Sequence, residues 1–304
     1  MMSLGARERS YWAGNTPPWL TFGLMGTAQP YRGRLAPTPS GYLHLGHART
    51  FWIVQQRAEQ AGGVLVLRLE DLDRARCKPD YQAALYEDLA WLGLRWQEGP
   101  DRGGPYGPYE QQARQPWYHQ VWAQLNQLGV IYPSPHSRRD VRRALAAPHE
   151  GDREPLFPPN LRPQRWEPVT EPGAVNWRFR VPDGEVVRVW DGRLGPVDFQ
   201  AGVDFGDFLV WRRDGFPSYE LAVVADDGAM QISEVVRGED LLLSAARQLL
   251  LYRALGWPPP AFYHCELVRD AQGRRLAKRE QALALRTLRQ AGVQPAELRA
   301  AWSS

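Results

Sequence analysis

Two short strings in this chain carry residue types suited to handling phosphate. The first is PTPSGYLHLGHART (Pro37–Thr50), where His44 and His47 stand three apart with Gly46 between them. Prolines and a glycine suit a strand-to-helix loop, and the spacing puts both imidazoles on one face at a helix start. A helix N-terminus offers free N–H groups and a positive dipole end to a phosphate. Two imidazoles there can donate to charge developing on it, and Gly46 lets a flat ring approach the backbone. The second string is GRRLAKRE (Gly273–Glu280), with four positive charges within six residues. A charge run is ordinarily a solvated face. All but two of the chain's 37 basic residues are arginine, however, and Lys278 falls inside this run. An ammonium on a flexible stem can follow a moving phosphate better than a flat guanidinium fork. Lys278 is therefore read as a phosphate ligand, and the other lysine, Lys78, as incidental.

These residues need a scaffold, and the chain supplies one. With 304 residues, 43% of them apolar and 23% charged, it has the makeup of a globular protein with a real core. That excludes a disordered or collagen-like chain. No run approaches the ~18 apolar residues of a membrane span, so no membrane partner is expected. Two cysteines, Cys77 and Cys265, are too few for a disulfide framework and fit a reducing, cytoplasmic setting. A net charge of +3 is compatible with a nucleic-acid partner without pointing to one.

Residues 1–30 are polar and Pro/Gly-punctuated and read as a flexible N-terminal extension, with Met25 as an alternative start. A short strand at Gly33–Ala36 runs into the histidine loop and a helix from about His44 to Gln60, closed by Gly62 and Gly63. VLVLRLE (Val64–Glu70) reads as a buried parallel strand, and Pro79 to Leu92 as a helix. This alternation predicts α/β architecture, a Rossmann-type doubly wound parallel sheet, with a first catalytic half at 31–104. Residues 105–204 read as an inserted α+β module: helical over 115–147, aperiodic over 148–172, then short strands in WRFRV, EVVRVW and PVDF. Alternation resumes over 205–268 with DFLVWRR, YELAVVADD and ISEVVRGED, a helix from Leu241 to Leu255 and a strand near His264–Val268. Residues 269–304 hold the lysine run and a short helical tail.

Together the two strings resemble the HIGH and KMSKS signatures of class I aminoacyl-tRNA synthetases. HLGH (His44–His47) stands for the first and RLAKR (Arg275–Arg279) for the second, with Arg275 and Ala277 departing from its lysine and serine. RLAPTPSGYLHLGHART, LRLEDLDRAR, DGFPSYELAVVADD and EVVRGEDLL are similar, in order and spacing over about residues 32–280, to the glutamyl-tRNA synthetase family. The resemblance implies a ligase that activates L-glutamate with ATP and Mg²⁺. It implies an ATP site of Gly46, Arg275, Leu276, Ala277, Lys278 and Arg279, with His44, His47 and Lys278 catalytic. It also implies a glutamate site of Arg34, Ala36, Thr38, Glu70, Tyr219 and Arg237. The chemistry agrees: two carboxylates and an ammonium call for two arginine forks and one carboxylate. Which arginine takes which carboxylate stays open, and helix capping is the simpler reading of Asp73.

Three departures shape the expectations further. Many family members bind zinc in the insertion, but YPSPHSRR (Tyr132–Arg139) has Pro133 and Pro135 where the cysteines would stand. His136 and His149 cannot complete a four-ligand site, so no zinc is expected. Val223 replaces the asparagine of LANVV, removing a polar contact near the amino acid. Only 25 residues follow Arg279, too few for an anticodon-binding domain, and that truncation resembles the glutamyl-Q tRNA(Asp) synthetases. The resemblance implies transfer of glutamate to the queuosine base in the anticodon loop of tRNA(Asp), and a monomer is expected. A truncated synthetase charging tRNA(Glu) and a non-catalytic tRNA-binding paralogue are the alternatives. Arg138, Arg139, Arg142 and Arg143 are read either as tRNA phosphate contacts or as a solvated helix face.

Overall fold

The computed structural model describes residues 30–136, 156–268 and 284–303. The N-terminal extension, the arginine cluster Arg138–Arg143, His149 and the run Arg275–Arg279 lie outside the described residues. From Tyr31 onward the chain forms one compact unit.

Strands β1 (Arg32–Leu35) and β2 (Val64–Leu67) pair in parallel, with Arg34 opposite Val66. Between them runs α1 (Leu45–Gln60), whose Ala48, Phe51, Val54, Gln55 and Ala58 are buried at the three- and four-residue spacing of one helix face. Helix α2 (Pro79–Leu92) has Pro79 at its first turn and stops at Gly93, whose left-handed φ of 83° lets its N–H close the last turn. Both helices bury their apolar faces in one core with Leu35, Leu65, Leu67 and Leu69.

The second parallel group comprises β8 (Glu234–Gly238), β9 (Ala261–Cys265) and β5 (Val186–Asp191), with β6 (Gly195–Gln200) antiparallel on β5. Strand β1 lies beside β8: the Ser233 N–H donates to the Arg32 carbonyl at 2.9 Å, and Arg34 reaches the Val236 carbonyl at 3.1 Å. The order is thus β2-β1-β8-β9-β5-β6. It reverses between β1 and β8, where a doubly wound sheet opens its ligand crevice.

The middle of the chain is partitioned differently from the expected boundaries. Helix α3 (Gln115–Gln127) ends well before residue 147, because Leu128-Gly129 turns the chain and IYPS forms strand β3 (Ile131–Ser134). Strand β7 (Phe208–Trp211), expected in the second catalytic half, pairs antiparallel with β4 (Asn176–Phe179), which pairs with β3. Conversely β5 and β6, expected within the insertion, join the edge of the catalytic sheet at Asp191 opposite Phe262. Side-chain packing accounts for the first: Trp122, Trp177 and Trp211 form one buried aromatic cluster, with Trp122 and Trp177 edge-to-face at 5.1 Å. Residues 219–229 form helix α4 (Tyr219–Ala229), capped by the Ser218 hydroxyl, which accepts from the Leu221 N–H. Helix α5 (Leu242–Leu255) packs against α4, and the tail is α6 (Leu285–Gln290) and α7 (Pro295–Ser303). No described helix is long and apolar enough to cross a membrane.

Candidate active site

Strand β1 delivers the chain into the loop Ala36–Leu43 at the carboxyl end of the sheet, and α1 leaves it. His44 takes the N-cap position in extended conformation (φ −110°, ψ 164°). One turn into the helix His47 returns to the same side, and the two rings lie 4.0 Å apart, tilted by 31°. His44 is half-buried and His47 exposed. A Cβ on Gly46 would meet only the His44 ring, at 3.4 and 3.5 Å, so the backbone there is open on its other sides. Later parts of the chain fasten to this helix tip. Leu285 N–H donates to the Leu43 carbonyl at 2.8 Å, Ala284 bridges to His44, and Arg49 donates to the Glu266 carbonyl at 3.4 Å. The described residues flanking 269–283 on both sides are therefore held against the start of α1.

Beside this tip sits a buried charge network. Arg68, fully buried after β2, donates to Asp227 at 2.6 Å and to Glu70 at 3.0 Å. Asp226 accepts from Arg114 at 2.6 Å, Gln111 at 2.8 Å and Tyr118 at 2.9 Å. Arg34 from β1 approaches Asp227 to 3.4 Å while its Nε makes no hydrogen bond. Burial pushes the Glu70 carboxyl above its ordinary pKa, against the opposing pull of Arg68 and Arg34. The next group reaches in from β8: Arg237, buried, donates to the Tyr219 hydroxyl at 3.4 Å, and its Nη2 has no hydrogen-bond partner. Among the described residues no carboxylate forms an ion pair with Arg237. Of the six residues expected to hold glutamate, Arg34, Glu70, Tyr219 and Arg237 are thus tied together, either directly or through Val236, Arg68 and Asp227. Ala36 and Thr38 lie on the loop at the same end of the sheet. Val223, one turn beyond Tyr219 on α4, is buried.

Four functional-looking residues escaped the sequence reading. Arg68, Asp226 and Asp227 stand inside LRLEDLDRAR and VVADD, and a buried strand ending in Arg-x-Glu together with a paired Asp-Asp in an apolar helix was the signal. His264 had none. On β9 it accepts from Arg237 Nε at 3.1 Å through its Nε2, and its Nδ1 lies 2.7 Å from Asp191 on β5. With Nε2 accepting, the proton resides on Nδ1 and is donated to Asp191. Burial and the neighbouring Arg237 charge push the imidazole pKa down to about 4, so it is neutral.

Residues 31–302 match the family described as tRNA synthetases class I (E and Q), catalytic domain. The chain belongs to this family. Its members are ligases, and ATP is the substrate class they share. The chain is 46% identical over 273 residues to a protein named glutamyl-Q tRNA(Asp) synthetase from Nitratidesulfovibrio vulgaris, covering 88% of this chain and 83% of that one. It is 40% identical to glutamate–tRNA ligase 2 of Acidithiobacillus ferrooxidans, covering 90% of this chain and 57% of that one. Among solved structures it resembles the glutamate–tRNA synthetase of Elizabethkingia anophelis, with a TM-score of 0.73 at 29% identity. The match covers 83% of this chain and 53% of that one, so this synthetase-family chain spans about half the length of its solved relative.

Around Tyr132 and Pro133 the structure shows a polar staple. Pro133 lies in β3, and the neighbouring Tyr132 hydroxyl donates to Asp207 at 2.5 Å. Arg162 grips Asp207 with two bonds of 2.7 Å and also pairs with Asp183. Among the described residues no group of three or more His, Cys, Asp or Glu stands where it could hold a metal ion.

Proposed function

We propose that this protein activates L-glutamate with ATP to form glutamyl-adenylate and transfers the glutamyl group to the queuosine base in the anticodon loop of tRNA(Asp). The carrying observation is the pair of buried arginines, Arg34 and Arg237, each with an unsatisfied nitrogen and sharing the crevice with Glu70. Arg237 has no acid partner among the described residues and Arg34 shares Asp227 with Arg68, so an amino acid with two carboxylates supplies the missing anion of the one and a further acceptor for the other. The Glu70 carboxylate is the complement of its ammonium, with the Tyr219 hydroxyl as a further polar contact.

In the first step the substrate α-carboxylate attacks the α-phosphorus of ATP in line and pyrophosphate leaves. Positioning and charge stabilisation do most of the work. His44 and His47 at the tip of α1 donate to the α-phosphate, above the open backbone at Gly46. Lys278 and its neighbours Arg275, Leu276, Ala277 and Arg279 cover the departing pyrophosphate. The fastening of Glu266 and Ala284 beside α1 supports this, since Lys278 lies between them in the sequence. Mg²⁺ bound to the triphosphate would supply further neutralisation of the phosphate charge.

The choice of acceptor rests on relatedness: 46% identity to a glutamyl-Q tRNA(Asp) synthetase against 40% to a glutamate–tRNA ligase. Incubation with ATP and labelled glutamate should label queuosine-containing tRNA(Asp) and leave queuosine-free tRNA(Asp) and tRNA(Glu) unlabelled. Label on tRNA(Glu) alone would make it a tRNA(Glu)-charging enzyme instead, and no label with no pyrophosphate exchange would make it a tRNA-binding paralogue. Lys278→Ala should lower glutamate-dependent pyrophosphate exchange by about a hundred- to a thousand-fold, the usual loss for one charge-stabilising donor. Near-normal exchange in that variant would remove Lys278 from the site.

A further inference from the structure

The Arg237 guanidinium has an unusual set of neighbours. Its Nε donates to a neutral imidazole, its Nη1 to a phenol, and its Nη2 to nothing, while its Cζ lies 5.6 Å from the centroid of the Phe262 ring. Every other strongly buried arginine in the crevice has an acid within ion-pair distance: Arg32 has Glu98, Arg34 and Arg68 have Asp227, and Arg114 has Asp226. Fixing a fork in place normally uses a carboxylate, which also cancels the charge. Here the acid is moved one residue further away. Asp191 accepts from the His264 Nδ1 at 2.7 Å and from its backbone N–H at 2.9 Å, and His264 passes on only a lone pair.

We propose that His264, locked by Asp191, is a positioning residue for the amino-acid site: it orients Arg237 through a neutral acceptor and leaves its full charge for a carboxylate of the substrate. The inference rests on the glutamate-activating reading above and adds a residue pair to it. Asp191 is itself held rigid, since its other oxygen accepts from the N–H groups of Arg193 and Leu194 at 3.0 and 2.9 Å. The His264 carbonyl accepts from the Arg193 guanidinium, which pairs with Glu239, so the dyad is pinned from both strands. A carboxylate at position 264 would hold the fork as firmly and weaken its pull on the substrate. An apolar residue would leave the fork free to turn.

Two amide substitutions separate this role from simple core packing. In His264→Asn the shorter amide keeps the donation to Asp191 and loses the acceptor facing Arg237. In His264→Gln the longer amide keeps the acceptor and strains the contact with Asp191. Pyrophosphate exchange should show the KM for glutamate raised about tenfold or more in His264→Asn, with the KM for ATP within about twofold of the parent. His264→Gln should restore the KM for glutamate to within about threefold. A structural histidine gives the opposite order, with His264→Asn the milder change, or moves both KM values together; either result overturns the inference. Should His264→Asn fail to fold, His264→Gln decides alone: folded with a tenfold higher KM for glutamate, it overturns the inference, and folded within threefold, it supports it. If the parent protein shows no glutamate-dependent exchange, the glutamate reading itself fails, which is distinguishable from failure of the histidine role.

Discussion

Two arginine-centred clusters lie in this molecule, and they are built to opposite rules. In the first, around Arg162, the two oxygens of the buried Asp207 accept from Arg162, Tyr132 and the Val181 N–H, and Asp183 takes the rest of the fork. Phe157 and Trp166 cover it, and Arg178 lies 4.2 Å over the Phe157 ring. In the crevice between β1 and β8, Arg34 Nε, Arg68 Nε, Asp227 Oδ2 and Arg237 Nη2 are buried without hydrogen bonds. Four such atoms gathered at the mouth of a parallel sheet are what the glutamate site proposed above would engage. The first cluster saturates its buried carboxylate, and the second leaves open the hydrogen-bonding capacity that the proposed glutamate site would use.

That contrast can be tested by removing one arginine from each. Arg162→Met should be the most damaging to stability, costing about 3–5 kcal/mol, because it strands the buried Asp207 charge. Urea unfolding measures it; a loss below about 1 kcal/mol would show that the staple is ornamental. Arg237→Met should reverse the pattern. Exchange activity falls about a hundred- to a thousand-fold, while stability falls by less than in Arg162→Met, since the buried His264 acceptor loses its donor and no carboxylate loses its partner. Equal loss of stability in both variants would erase the distinction.

Asp88 on α2 offers a smaller sharpening of the same idea. It is fully buried, with its oxygens unbonded and Arg289 of α6 at 3.8 Å, and burial raises its pKa to about 6. A carboxyl raised on folding binds its proton more tightly in the native state. Its contribution is therefore fully present below the unfolded value near 4 and is lost as pH climbs through about 6. Asp88→Asn should be more stable than the parent at pH 7.5 by up to about 3 kcal/mol and indistinguishable from it near pH 4. Equal unfolding midpoints at both pH values would mean that Arg289 neutralises the charge.

Much of the frame was legible because it depends on neighbours in sequence. The helix Pro79–Leu92 was marked by leucines at helical spacing, and α1 by the histidine loop before it and the glycine pair Gly62-Gly63 after it. The placement of His44, His47 and Gly46 at a helix tip follows from the same local rules. The boundaries of the middle region were not legible. DFLVW and EVVRVW are both short apolar strands, and nothing in either says which sheet will accept it; the tryptophan cluster and the bridge from Asp191 to Phe262 decide.

By itself the amino-acid sequence determined the local elements, because turn chemistry, periodicity and side-chain type act over a few residues; Arg34, Glu70, Tyr219 and Arg237 were named through the family resemblance. Tertiary structure alone decided that Arg68 and the two aspartates of VVADD share one buried network. It alone set His264 between Asp191 and Arg237, and left one fork with a free nitrogen. Those relations join residues far apart along the chain through burial and hydrogen-bond completion, and a linear string carries no record of which polar atoms stay unpaired.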